Sequence, residues 1–320
     1  MDSLLSKREL SINHKTKKNK KDSNNKDKRL LGMCMPTMIF LLLFNYIPMF
    51  GLVLAFKDFR YDKGIFGSEW VGFANFEFFL KSDNAWRITR NTIGFNLLFI
   101  VLGLIVAVVF ALIINEVKSK NGRKFYQTTM FLPYFLSWVV VGYMLYAFLN
   151  QNYGIINNVL VGLGMEPVKW YMDANKWIVL LPLIFIWKSV GYSSVIYYAG
   201  LLSIDSAYYE SAALDGATRG QMMRYISLPH IVPLMIIMTI LNIGKIFNSD
   251  FGLFFQATMD SSALYPVTDV LDTYVYRALK VTGDVGMSSA VGFYQSIVGF
   301  CVVVLANGII RKIDKENAMF

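Results

Sequence analysis

The chain has 320 residues, of which 55% are hydrophobic and only 17% charged, and its mean hydropathy is +0.44. Soluble globular domains contain about 45–50% apolar residues, so the composition indicates that lipid is the main solvent. The formal net charge is +9, but basic residues cluster in the first 29 positions. A basic tail on an apolar chain indicates a cytoplasmic end and not nucleic-acid binding.

Residues 1–29 are polar and lysine-rich, so they are predicted to form a disordered basic cytoplasmic tail. A helix that crosses a bilayer needs about 20 mostly apolar residues. Six windows meet this requirement: 31–56, 92–115, 125–149, 177–201, 231–250 and 288–310. The predicted fold is an all-α, polytopic membrane protein with six transmembrane helices over residues 30–312, followed by a cytoplasmic C-terminal tail, residues 313–320.

Basic residues in short loops predict the orientation of these helices, because Lys and Arg are enriched on the cytoplasmic side. The loop from Glu116 to Lys124 contains four basic residues, and the end of the chain carries Arg311, Lys312 and Lys315. We therefore expect both termini, the 116–124 loop and the 202–230 loop to be cytoplasmic. The loops at 57–91, 150–176 and 251–287, which mix charges of both signs, are expected outside.

Several predicted spans contain prolines, among them Pro36, Pro48, Pro133 and Pro182. Proline lacks an amide hydrogen and usually kinks a helix. In a membrane such a kink is tolerated where neighbouring groups satisfy the freed carbonyls. Each of these prolines is expected to mark either a functional break or a packing irregularity.

The 202–230 loop has the most specific local pattern in the chain. Asp205 or Ser206 can cap a helix that extends to Leu214, and Gly216 suits the left-handed residue that ends such a helix. A second short helix is predicted to start at Thr218 and to stop before Pro229, which opens the fifth span. This arrangement is a helix–turn–helix that exposes apolar side chains.

The loop contains a Glu-x-Ala-Ala-x-Asp-Gly-Ala core and a downstream Leu-Pro, formed by Glu210, Ala212, Ala213, Asp215, Gly216, Ala217, Leu228 and Pro229. This pattern resembles the EAA loop of permease subunits from bacterial binding-protein-dependent ABC importers. In that family this loop docks into a cleft on a separate ATPase. The resemblance implies location in the bacterial cytoplasmic membrane, an ABC ATPase partner that binds ATP and Mg, and an extracytoplasmic solute-binding protein. It also implies a second permease subunit, which we expect to differ from this chain, as in a heterodimer.

Flanking segments are similar to the carbohydrate group of these permeases. They include Asn91-Thr92, Leu132-Pro133-Tyr134, Trp187-Lys188-x-x-Gly191 and the motif Val270-x-Asp272-Thr-Tyr274-Val-Tyr276-Arg277. The last of these is similar to the subgroup that handles complex or polysaccharide-derived sugars. The expected cargo is therefore a carbohydrate, and most simply an oligosaccharide.

Polar and aromatic residues inside spans are candidates for the transport path, because ionisable groups in a bilayer usually face a bundle interior or a water-filled cavity. Aromatic faces with a few polar groups suit sugars. The predicted path residues are Trp187, Lys188, Tyr192, Asn242 and Asn248. The alternative interpretation of each residue is interfacial anchoring or helix–helix hydrogen bonding.

An enzyme is not expected. The sequence has two histidines and lacks a phosphate-binding Gly-x-x-x-x-Gly-Lys-Ser/Thr loop, a His-Glu-x-x-His pattern and a Gly-x-Ser-x-Gly pattern. No cofactor or metal is expected on this chain. An ion-coupled secondary transporter is the main alternative, although such proteins usually contain paired broken helices in inverted repeats and need no exposed coupling loop.

Overall fold

The computed structural model describes residues 30–313, so the predicted tail 1–29 and residues 314–320 lie outside the described part of the chain. The described residues divide into two units, with the boundary between Val53 and Leu54. The first long helix, α1 (Leu30–Phe56), contains a π-helical turn at Leu42–Tyr46 and 3₁₀ geometry from Ile47. The change in hydrogen-bond pattern occurs next to Pro48, which has no amide hydrogen.

The second unit begins with a two-stranded antiparallel ribbon, β1 (Lys57–Asp58) and β2 (Glu69–Trp70), in which Lys57 pairs with Trp70. The remaining elements are helical. They are α2 (Gly64–Gly67), α3 (Ala74–Leu80), α4 (Asp83–Glu116), α5 (Lys120–Phe135), α6 (Trp138–Leu149), α7 (Ile155–Gly162), α8 (Ala174–Leu202), α9 (Ser206–Leu214), α10 (Arg219–Met222), α11 (Leu228–Ile243), α12 (Tyr265–Thr268), α13 (Leu271–Arg277) and α14 (Val285–Ile313).

Five helical segments within the described residues are long and apolar enough to cross a membrane: Leu30–Phe56, Asn84–Glu116, Ala174–Leu202, Arg219–Ile243 and Val285–Gly308. A sixth crossing is made if α5 and α6, which meet at 95°, count as one broken span. Each of these segments overlaps one of the six predicted windows. The predicted all-α membrane fold is therefore confirmed.

Aromatic packing forms the centre of the second unit. The ring of Phe99 on α4 stacks on that of Phe185 on α8 with centroids 4.3 Å apart. Trp177 on α8 is fully buried and belongs to the same apolar cluster as Phe95 and Phe254. This cluster fixes α4 and α8 as the axis against which the broken span and the segment after α11 pack.

The third predicted window, 125–149, forms two helices instead of one continuous helix. α5 ends at Phe135, and Ser137 begins α6 as its N-cap, with the Ser137 hydroxyl accepting a hydrogen bond from the amide of Val140 at 3.3 Å. Pro133 lies in the last turn of α5. A proline followed by a good capping residue ends one helix and starts another.

The fifth predicted window is shifted along the chain. Its helix ends at Ile243 and not at residue 250, so Asn248 lies in a loop. The predicted stop before Pro229 is also wrong, because α10 continues into α11 through a π-helical turn at Met223–Ser227. In that turn the amide of Leu228 bonds the carbonyl of Met223. The wider turn lets the helix reach Pro229 without breaking.

Gly252 permits close packing between α6 and the π-helical turn Gly252–Ala257. A Cβ added at Gly252 would lie 2.0 Å from Cδ1 of Trp138. We predict that Gly252→Ala destabilises the protein by about 1–3 kcal/mol through overpacking and lowers its thermal unfolding midpoint in detergent. Gly94→Ala on α4 is the matched control, since its added Cβ meets no atom within 4 Å. Equal midpoints for both variants would contradict this packing.

Candidate coupling loop and transport path

The coupling loop, residues 202–230, folds locally as its sequence predicts. The carboxylate of Asp205 caps α9 by accepting a hydrogen bond from the amide of Ala207 at 3.0 Å. Gly216 has φ +78° and ends α9 in the left-handed conformation, and the amide of Ala217 reaches back to the carbonyl of Ala212 at 2.9 Å. The predicted helix and its glycine terminus are therefore confirmed.

The second half of the loop starts with a reciprocal cap. The hydroxyl of Thr218 accepts from the amide of Gln221, and the Gln221 side chain accepts from the amide of Thr218 at 2.7 Å. α10 is thereby aligned with α11. The loop is thus a pair of capped helices that meet at Gly216.

One side-chain contact joins α9 to the π-helical turn that leads into α11, and another joins α10 to the end of α4. The hydroxyls of Tyr209 on α9 and Ser227 are 2.8 Å apart, and Ser227 is buried. Arg219 on α10 forms an ion pair with Glu116 at the end of α4, with Nη1 and Oε2 2.9 Å apart. Movement of the loop is therefore linked to the ends of two spans.

The eight predicted coupling residues divide by exposure. Those half-buried are Ala212, Ala217 and Leu228, and those exposed are Glu210, Ala213, Asp215, Gly216 and Pro229. Leu214, which was not among them, has 90% of its surface exposed. A large apolar side chain this exposed to water, next to a surface of small residues, is typical of a protein–protein interaction site. This face of the loop therefore suits a protein partner.

Two of the sequence motifs meet in space. Asn91 on α4 donates hydrogen bonds to the carbonyls of Pro266 at 3.2 Å and Asp269 at 3.1 Å. The hydroxyl of its neighbour Thr92 accepts from the amide of Leu271 at 3.0 Å. Both side chains are buried. The Asn91-Thr92 pair therefore holds the start of the Val270–Arg277 motif against the second span.

A compact ion cluster lies beside this contact. Arg277 pairs with Asp260, at 2.8 Å, and with the buried Asp269, while Arg87 approaches Asp269 at 3.3 Å. The Arg277 guanidinium also lies 4.3 Å from the centre of the Tyr265 ring. Burial raises the pKa of the Asp269 carboxyl, and the two guanidinium groups oppose that shift.

Lys188 does not present a free ammonium group. It is 8% exposed, and its Nζ donates to the carbonyls of Pro133 at 3.1 Å, Tyr134 at 3.0 Å and Leu136 at 2.6 Å. These three carbonyls lie at the junction of α5 and α6. The position of Lys188 inside a span was predicted from the sequence, but its backbone partners were not.

Tyr192 and Trp187 lie on different surfaces of α8. The ring of Tyr192 stacks on that of Tyr134, with centroids 4.6 Å apart, and remains 44% exposed. Trp187 lines an apolar cavity of about 440 Å³ together with Val141, Met144, Leu145, Phe148, Leu183 and Ile184. Tyr192 therefore offers an exposed aromatic surface next to Tyr134, whereas Trp187 faces the apolar cavity.

Asn248 belongs to a polar cluster in the segment that follows α11. Its side-chain oxygen accepts a hydrogen bond from Gln295 on α14 at 2.7 Å, and Gln295 also donates to the carbonyl of Phe247 at 2.6 Å. Asn96 on α4 donates to the carbonyl of Ile246 at 2.8 Å. Asn242 lies exposed on α11. The structure thus places Asn248 among polar groups from two helices, α4 and α14.

Asp250 completes a chain of contacts that the sequence did not reveal. Its carboxylate accepts from the indole nitrogen of Trp138 at 3.0 Å, and the face of that indole lies 5.1 Å from Nζ of Lys188. In the sequence, the only indication of this cluster was that two polar residues, Asn248 and Asp250, lie close together. Their spacing could not show that both lie in the non-helical segment after Ile243.

Among the described residues, no group of three or more His, Cys, Asp and Glu side chains is arranged to hold a metal ion. The features assembled within residues 30–313 are an exposed capped loop, a broken span and a polar cluster between helices.

Comparison with known proteins identifies the family. Residues 99–315 match the family described as binding-protein-dependent transport system inner membrane component. The chain belongs to this family, so it is a non-enzymatic membrane component of such a transport system and lies in the cytoplasmic membrane. This membership displaces the ion-coupled secondary transporter that the sequence had left open.

Several relatives are similar over nearly their whole length. Protein LplB of Bacillus subtilis is 33% identical, with 91% of each chain covered. The polygalacturonan/rhamnogalacturonan transport system permease protein YteP of the same species is 34% identical over 91% of this chain and 90% of its own. A chain of a bacterial ABC transporter involved in import of the acidic polysaccharide alginate has a TM-score of 0.82 and 33% identity over 91% of this chain and 97% of its own.

Proposed function

We propose that the chain forms half of the translocation path of an ABC importer for an oligosaccharide. A separate extracytoplasmic solute-binding protein delivers the cargo, a second and different permease subunit supplies the other half of the path, and ABC ATPase subunits bind ATP and Mg. Two observations support a carbohydrate cargo: relatives named for polygalacturonan and alginate transport and the flanking motifs of the sequence.

The proposal is carried by one observation, the exposed coupling loop anchored to two spans. Its apolar and small side chains, with Leu214 at 90% exposure, offer a docking surface for the ATPase. The Tyr209–Ser227 and Arg219–Glu116 contacts provide a route by which movement of the ATPase reaches the membrane helices. Glu210 adds a carboxylate for a basic group on the partner.

We predict that Ala213→Asp and Gly216→Asp leave the protein in the membrane but uncouple it. At Ala213 a carboxylate would be buried without a partner on docking, and at Gly216, φ +78°, a side chain costs about 1–2 kcal/mol. Co-purification of the ATPase should fall at least about ten-fold, the equivalent of about 1.4 kcal/mol. Substrate-stimulated ATP hydrolysis should be lost.

Two matched variants control for charge and for backbone effects. Ala207→Asp adds the same charge to another face of α9, and Gly220→Ala changes a glycine whose added Cβ meets no atom within 4 Å. Both should retain ATPase association. Normal transport by Ala213→Asp and Gly216→Asp would remove the main support for the coupling role.

The sugar path is proposed to run past the aromatic and polar groups predicted from the sequence. In this proposal Tyr192 and Asn248, which are both exposed, meet the cargo directly, and so does Asn242, which is exposed on α11. Trp187, which lines the apolar cavity of about 440 Å³, borders the path. We predict that Tyr192→Ala and Asn248→Ala change uptake rate or selectivity among oligosaccharides while ATPase association stays normal. Tyr153→Ala, at an exposed tyrosine between α6 and α7, serves as the control, and unchanged uptake in both path variants would place the path elsewhere.

Both termini are proposed to be cytoplasmic, with α5 and α6 together making one crossing. Lys118 and Lys81 are matched exposed lysines in loops assigned to opposite sides. In a background without Cys34 and Cys301, a membrane-impermeant thiol reagent added to intact cells should label Lys81→Cys and spare Lys118→Cys until the cells are permeabilised. The reverse pattern would invert the orientation.

A further inference from the structure

The ammonium group of Lys188 donates all three of its hydrogen bonds to backbone carbonyls. An ammonium has three hydrogens to donate, and the carbonyls of Pro133, Tyr134 and Leu136 provide three acceptors at 2.6–3.1 Å. The rings of Trp138 and Tyr134 lie 5.1 Å and 5.9 Å from Nζ. Acceptors and aromatic rings therefore surround the charge on several sides.

These carbonyls lie where regular helix stops. The last four carbonyls of an α-helix have no partner in the helix itself, and α5 ends at Phe135 while α6 starts only at Trp138. The carbonyl of Pro133 also accepts a hydrogen bond from the amide of Leu136 at 3.2 Å, so Lys188 is its second donor, and Leu136 itself lies between the two helices. In a membrane, irregular backbone persists only where protein groups bond it or where it lines a water-filled cavity. Lys188 supplies those bonds from the neighbouring span.

The packing around Lys188 brings α5 close enough for this contact. Gly191 lies one turn further along the same face of α8, and a Cβ there would be 1.9 Å from the carbonyl oxygen of Met130. On the other side, Trp138 bonds Asp250 at 3.0 Å. Both arms of the broken span are therefore fixed relative to Lys188.

We propose that Lys188 is a positioning residue that sets the 95° bend between α5 and α6 and does not contact the cargo. Its charge stabilises the open carbonyls of the bend, and the bend orients Tyr134, on which Tyr192 stacks. The cargo then meets the aromatic surface and not the cation. The effect of Lys188 on transport rests on the proposed sugar path, whereas its effect on the bend does not.

The bend is tested by a distance measurement in the full transporter complex. Spin labels at Thr128→Cys on α5 and Ala147→Cys on α6, both exposed positions, are introduced in a background without Cys34 and Cys301. With Lys188 present, we expect one narrow distribution of the distance between the two labels. Lys188→Arg keeps donors for the carbonyls and should give a similar distribution, whereas Lys188→Met should broaden or displace it. Lys245→Met, at an exposed lysine outside the spans, should leave the distribution unchanged.

Transport separates positioning from cargo binding. If Lys188 positions the bend, Lys188→Met should reduce ATP hydrolysis stimulated by neutral and by acidic oligosaccharides by the same factor, about ten-fold or more. An unchanged label distance with a selective loss for acidic sugars would overturn the proposal, because it would make the ammonium a cargo-binding cation. If the unmodified complex responds to no carbohydrate, the proposed function fails while the distance measurement still decides the role of Lys188.

Discussion

Irregular backbone inside an apolar helix bundle must be hydrogen-bonded by side chains, and this requirement organises the molecule. The second unit contains several places where a helix ends or the chain leaves regular structure among apolar neighbours. At each of them a polar side chain on a different element provides the missing donors: Lys188 at the α5–α6 junction, Asn96 and Gln295 after α11, Asn91 before α13, and Asn157 beneath the loop after α6. Because an unsatisfied buried carbonyl is costly, these side chains determine where the non-helical segments lie.

This constraint positions the polar groups of the proposed transport path. The segment after α11 is drawn inward by Asn96 and Gln295, so that Asn248 and Asp250 lie among helices instead of extending the fifth span. The bend at α5–α6 brings Trp138 to Asp250. The coupling loop, by contrast, is regular, capped and exposed, and a half-buried hydroxyl pair and an ion pair join it to the start of α11 and the end of α4. The coupling loop, attached to the spans, and the irregular backbone near Asn248 and the α5–α6 bend are suited to passing movement from the cytoplasmic loop to the proposed path.

The sequence predicted the features that depend on local chemistry. Spans follow from runs of apolar residues, and the α9 helix with its Gly216 terminus follows from capping preferences within ten residues. The features that depend on distant partners were not predictable. The carbonyls that accept hydrogen bonds from Lys188 come from about 50 residues earlier in the chain. The fifth helix ends at Ile243, seven residues before its predicted end at residue 250. Ser137 was an available signal for the break in the third span, because a good N-cap stands within an apolar run beside Pro133. The meeting of Asn91-Thr92 with the Val270–Arg277 motif could be inferred from neither segment alone.

The proposed role of this chain, to carry an oligosaccharide across the membrane as part of an ATP-driven importer, can be measured directly. A labelled oligosaccharide should accumulate in proteoliposomes that contain the purified complex of this chain with its permease and ATPase partners. We expect accumulation only when the sugar-loaded binding protein is outside, ATP and Mg are available to the ATPase, and the ATPase is active. Accumulation driven by an ion gradient without ATP, or ATP-driven transport that is indifferent to every carbohydrate tested, would contradict it.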